Sequence, residues 1–232
     1  MDSSKENSIR NSITTSPPSG FLSLPRKVRD DIYQRLLIVA HPLYLFQEKG
    51  AEAVEMFAPD RPFRWLALLY TNRQIHEEAC AVLYQLNNFT FMNTTQHQAN
   101  LLQSFLTCIG SINASHLSHI CINFPVAENV KDQPENIILR EDDLRSLKLL
   151  QEKCTKLTTL EALVYSYNPI GLAKASQDSD DLRLIQEVFS QVNRQFNAIP
   201  SLKKIIVRFY NGSPTHEVKE MMQQLQWIVS FG

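Results

Sequence analysis

Leu117-Ser118-His119-Ile120-Cys121-Ile122 reads L-x-x-Φ-x-Φ, where Φ is large and apolar. A leucine followed by alternating apolar side chains predicts a short strand. The pattern returns at Leu86-Asn87-Asn88-Phe89-Thr90-Phe91 and at Leu202-Lys203-Lys204-Ile205-Ile206-Val207. Leu157-Thr158-Thr159-Leu160-Glu161-Ala162 matches with a small last residue, and its strand continues through Leu163-Val164-Tyr165. The starting leucines, at 86, 117, 157 and 202, are spaced by 31, 40 and 45 residues.

A candidate helix precedes each of the last three strands. Leu101, Leu102, Phe105 and Ile109 mark the first, and Leu144, Leu147 and Leu150 the second. Leu182, Ile185, Val188, Phe189, Val192 and Phe196 mark the third, the clearest amphipathic helix of the chain. Asp180 or Asp181 is placed to cap it, and Pro200 closes it. Strands alternating with helices imply parallel pairing, because each crossover helix returns the chain to the same sheet. L-x-x-L-x-L is also the core of a leucine-rich repeat. The repeats here are long and unequal. The expected fold class is α/β, with α+β as the alternative: a short, irregular, leucine-rich-repeat-like solenoid with a mostly parallel sheet over residues 87–232. Segments 125–140 and 166–180 read as polar, Pro-containing loops, and Val218 to Phe231 as a final capping helix with Met221, Leu225, Ile228 and Val229 inward.

Upstream of these repeats the character changes. Residues 1–20 are rich in Ser, Thr, Asn and Pro and read as a disordered tail. Residues 21–86 read as a small helical module. Its first helix is expected near Ser23, whose hydroxyl can cap free N–H groups, with Pro25 in the first turn and His41-Pro42 as its end. Val28, Ile32, Leu36 and Val39 form one apolar stripe, and Arg26, Arg29, Asp30 and Gln34 fall mainly on other faces. Residues 42–61 are a connection of mixed character, with Glu48 to Met56 either a short helix or irregular. A second helical stretch runs from about Phe63 to Leu86, broken where Thr71 and Gln74 match a capping box. After the break, Ile75, Ala79, Val82, Leu83 and Leu86 line one face, while His76, Glu77, Glu78 and Gln85 point largely elsewhere.

Bulk properties exclude several classes. The 23 basic and 24 acidic residues give a net charge of -1, which provides no broad attraction for nucleic acid or an anionic membrane. No apolar run approaches the ~20 residues needed to cross a bilayer, and no secretory leader is visible. Cys80, Cys108, Cys121 and Cys154 are scattered and read as buried reduced thiols. A cytoplasmic or nuclear protein fits these features.

Candidate chemistry is sparse. His76-Glu77-Glu78-Ala79-Cys80 resembles a zincin helix, but Cys80 stands where the second His belongs and no third ligand is evident. His119 and Cys121 would share a strand face, two ligands without a closed site. Glu141-Asp142-Asp143 sits at a predicted helix start, where it complements the helix dipole. There is no nucleophile elbow and no Gly-rich phosphate loop. The reading is a non-enzyme with no cofactor and no metal.

Phe21 to Leu37 resembles the opening of an F-box. More closely, Leu24-Pro25 through Ile32-Tyr33, then Leu69-Tyr70-Thr71-Asn72-Arg73-Gln74-Ile75-His76-Glu77-Glu78-Ala79, Leu83-Tyr84 and Asn88-Phe89-Thr90-Phe91, are similar to a group of mostly uncharacterised F-box-like proteins of filamentous fungi. The resemblance covers roughly residues 21–125. It implies a docking module for the Skp-type adaptor of a cullin ubiquitin ligase, with Leu24, Pro25, Val28, Ile32 and Leu36 facing the adaptor and the repeats holding an unknown protein substrate. Lys27 replaces the acidic residue usual after Leu-Pro-x, and the stretch before Trp65 is longer than in a compact F-box. The alternative is an interaction scaffold of the same fold without ligase coupling.

Overall fold

The computed structural model describes residues 20–48, 53–62, 64–92, 97–130, 133–165, 179–210 and 212–232. The expected tail up to residue 19, most of the expected 166–180 loop and part of the expected 48–56 helix lie outside the described residues. The chain is a mixed α/β fold. In chain order its elements are α1 (Arg26–Leu37), β1 (Leu43–Phe46), β2 (Glu55–Phe57), α2 (Arg73–Leu86), β3 (Asn88–Phe91), α3 (Gln98–His116), β4 (His119–Asn123), β5 (Ala127–Val130), β6 (Gln133–Leu139), α4 (Glu141–Lys153), β7 (Thr159–Tyr165), α5 (Ser179–Asn197), β8 (Lys204–Tyr210), α6 (His216–Gln224) and β9 (Ile228–Phe231).

Seven strands form one sheet in the order β2-β1-β3-β4-β7-β8-β9. Every pairing in it is parallel except β1 with β2. From β1 onward the strands lie in the order in which the chain makes them, so each crossover steps one place in the same direction. Crossovers of one hand then put all the helices on one face. Strand alternation agrees. Leu43, Leu45, Phe89, Phe91, Ile120, Ile122, Leu160, Ala162, Val164, Val207 and Phe209 share a single core with the helices. Their neighbours Thr90, Cys121, Glu161, Leu163 and Ile206 are buried on the opposite face, outside that core. Two aromatic nodes anchor the packing. Phe105 of α3 meets Phe89 and Phe91, with ring centroids 5.7 and 5.5 Å away. Trp227 meets Phe189 at 5.2 Å and Phe196 at 5.7 Å.

Several local expectations are corrected. The first helix starts at Arg26, one residue after Pro25, and ends at Leu37, before His41-Pro42. Ser23 belongs to a separate short turn, Phe21–Ser23, and its hydroxyl donates to the Gly20 carbonyl instead of capping the helix. The break before α2 is capped by Asn72, whose side chain accepts from the Gln74 N–H, while the Thr71 hydroxyl donates to the Leu68 carbonyl. The 42–61 connection holds β1 and β2. Because β1 pairs with β3, the sheet runs across the boundary expected at residue 86/87. The 125–140 loop contains the β5–β6 hairpin. The expected C-terminal helix stops at Gln224. Gln226 takes a left-handed conformation (φ 62°) that turns the chain, and Ile228–Phe231 continues as a strand beside β8. There Val229 and Ile228 point to opposite faces, as strand period requires.

Candidate docking site

The buried face of α1 is Arg29, Tyr33 and Leu37, one residue round from the apolar stripe. An arginine occupies a core position there because α2 supplies its partner. Glu78 lies at helical spacing among Ile75, Ala79, Val82 and Leu83, the apolar face of α2, and is itself buried. Arg29 grips it with two bonds, Nη2 to Oε1 at 2.6 Å and Nε to Oε2 at 2.8 Å. Tyr33 donates to Oε2 at 3.0 Å, and Gln74 to Oε1 at 2.9 Å. A paired, fully hydrogen-bonded charge is the form in which burial is tolerated. The Arg29 guanidinium, helped by Gln74 and Tyr33, holds the Glu78 carboxyl down at about 2. Burial, then the bond to Glu78, pushes the Tyr33 phenol up to about 12.

The remaining Arg29 nitrogen, Nη1, donates to the carbonyls of Leu24 at 2.5 Å and Leu22 at 3.3 Å. One guanidinium therefore ties α2 to the turn that precedes α1. A second clamp closes the other end. Asn87 donates to the Leu37 and Leu83 carbonyls at 3.0 and 2.9 Å, and accepts from the Val39 N–H at 2.9 Å. It satisfies helix-end groups that would otherwise be orphaned.

With its inner face fixed this way, α1 turns its apolar stripe outward. Leu24 is 36 %, Val28 41 % and Leu36 45 % exposed. Leu22 and Pro25 are also exposed, and Ile32 is half-buried. The five positions singled out from the sequence thus form one surface on the turn and first helix. Val39, beyond the helix end, packs partly against the core instead. Arg29 had been assigned to an outer face and is inside. The signal that could have located it was a pair of charges at core spacing, Arg29 four residues before Tyr33 and Glu78 three after Ile75.

The other candidate groups contact neighbours within the fold. His76 Nδ1 lies 2.8 Å from the Leu69 carbonyl and its Nε2 3.6 Å from the Cys80 sulfur, while Glu78 is turned to Arg29. Burial pushes the Cys80 thiol up to about 11 and Cys154 up to about 12, whereas Cys108, expected to be buried, lies exposed on α3. His119 and Cys121 share the sheet face opposite the helices, where His119 Nε2 stands 3.4 Å from Glu161. Arg208 bonds the same carboxylate. Asp142 accepts from the Ala99 N–H at 3.1 Å and Asp143 from Val126 at 2.8 Å, so both tie loops to the start of α4. Among the described residues, no three His, Cys, Asp or Glu side chains are grouped to hold a metal ion. No described helix is long and apolar enough to cross a membrane.

Comparison with known proteins leaves the chain on its own: no protein-family model matches it, and no curated protein or solved structure does.

Proposed function

We propose that the turn and helix from Leu24 to Leu36 are the docking element of a non-catalytic, F-box-like substrate receptor. The partner would be the Skp-type adaptor of a cullin ubiquitin ligase, and the leucine-rich-repeat-like helix–strand units would hold a protein substrate, in the cytoplasm or nucleus. One observation carries this reading: large apolar side chains face water on a helix whose other face is pinned by a buried ion pair. The helix buries Arg29 together with Tyr33 and Leu37 and leaves Val28 and Leu36 in water. Apolar side chains at i, i+4 and i+8, with Val28 and Leu36 exposed and Ile32 half-buried between them, suit a groove on a partner.

A second reading keeps the fold and drops ligase coupling. It is favoured by Lys27 in place of the acidic residue and by β1 and β2, which draw the stretch after α1 into the large sheet rather than into a compact three-helix unit. Co-expression separates the two. The first reading expects co-purification with the Skp-type adaptor, lost in the double variant Leu24→Ala, Pro25→Ala with an unchanged circular dichroism spectrum. Absence of adaptor from the purified intact protein supports the second.

A further inference from the structure

The sheet face opposite the helices holds a cavity of about 670 Å³. Tyr44, Phe46 and Phe57 stand on one side of it, and Tyr165 and Tyr210 on the other. Leu163 and Thr90, both buried, also line it. β4 runs between β3 and β7 and carries His119, Cys121 and Asn123 on this face. We propose that this cavity binds a small, flat, uncharged and largely apolar molecule.

Size, charge and shape each support that class. The volume falls within the ~300–1,000 Å³ common to small-molecule sites and exceeds what one inserted side chain fills. Phe57, Met92 and Tyr210 are 54 %, 44 % and 38 % exposed, apolar area that an occupant would cover. Among the described residues, none that lines the cavity is charged. The nearest carboxylate along β7 on this face, Glu161, is already bound by Arg208 and approached by His119, so no net charge is left to select an ion. Polar side-chain groups in the lining are the hydroxyls of Thr90 and the three tyrosines. The strands here pair with each other, so the face provides no backbone ladder for an extended peptide. The Tyr165 and Tyr210 rings stand parallel, 18° apart in tilt with centroids 5.6 Å apart. Gly232 packs so closely on Tyr210 that a Cβ there would come within 2.7 Å of the ring. One wall is therefore a fixed, flat aromatic surface, suited to stacking.

Titration of the full chain with N-phenyl-1-naphthylamine, a neutral two-part aromatic fluorophore, tests this. We expect saturable one-to-one binding with a blue-shifted emission. Met92→Arg, at a water-facing edge of the cavity, and Tyr165→Ala should each weaken it at least tenfold. Ile112→Arg, an exposed apolar position on α3, should leave it unchanged. The sulfonated analogue 1-anilinonaphthalene-8-sulfonate should bind at least tenfold more weakly than the neutral dye. If Tyr165→Ala does not fold, Met92→Arg carries the test, with its melting curve as control. Four results overturn the proposal: absence of saturable binding; equal affinity in a folded Met92→Arg; equal or tighter binding of the sulfonate; and affinity that falls as protein concentration rises alongside dimer formation, which makes a second copy the occupant.

Discussion

Glu78 ties together more of the N-terminal half than any apolar side chain near it. Four donors converge on its carboxylate, and one of them also holds the turn before α1. Replacing it with Gln removes one partner of a buried pair and strands Arg29. From the ~3–5 kcal/mol such losses cost, the melting temperature should fall by roughly 6–20 °C at pH 7. Its carboxyl sits at about 2 when folded, below the ordinary 4.5. Its stabilisation is therefore complete above pH 4.5 and lost as pH falls from there through 2. Melting curves should show Glu78→Gln and the parent converging toward pH 2.5; a constant gap from pH 7 to 2.5 would contradict the pairing. Asp143 has the opposite sign. Burial, only partly offset by the Val126 N–H, raises its carboxyl to about 6 from 3.8. Its contribution is full below pH 3.8 and lost as pH rises through 6. Asp143→Asn, which keeps an oxygen for Val126, should raise the melting temperature at pH 8 and change it little at pH 3.5. An equal effect at both values would mean that burial is not what strains this group.

Among the elements, the strands and long helices were legible because period and length agree. Ile120 and Ile122 alternate into the core as their spacing requires, and the α5 stripe from Leu182 to Phe196 is buried or half-buried where it was expected. Short elements were not. Leu43–Phe46 and Glu55–Phe57 are four and three residues long, too short for periodicity to separate strand from loop. The C-terminal run reads equally as helix or strand until Gln226 turns it. α3 shows a further limit: it passes through Gly110 at φ 77°, ψ 165°, a conformation almost confined to glycine. A Cβ built there meets no other atom within 4 Å, so only backbone strain opposes a side chain. Gly110→Ala should cost about 1–3 kcal/mol, a drop of roughly 2–10 °C in a thermal melt. An unchanged melting temperature would show that the helix tolerates a straight path there.

For the molecule as a whole, the recurrence of L-x-x-Φ-x-Φ was enough to expect a mostly parallel sheet. Which face of α1 looks outward was not readable from its stripe alone, because an apolar row on a helix marks the core more often than a partner. The answer lay in Arg29 and Glu78, 49 positions apart, which become neighbours only once α1 and α2 pack. Among the described residues, that packing leaves exposed apolar side chains on the α1 stripe and at Phe57, Met92 and Tyr210 on the sheet face opposite the helices. In the proposed reading the stripe takes one partner and the sheet face a different occupant. The central claim is that the stripe is a grip. Its most direct test is calorimetric titration of a Skp-type adaptor into the intact chain and into Val28→Arg, a change at a position 41 % exposed that leaves the Arg29–Glu78 clamp in place. The account predicts saturable binding by the intact chain and at least a hundredfold loss in Val28→Arg, with the melting temperature unchanged. No binding by the intact chain, or equal binding by both, would contradict it.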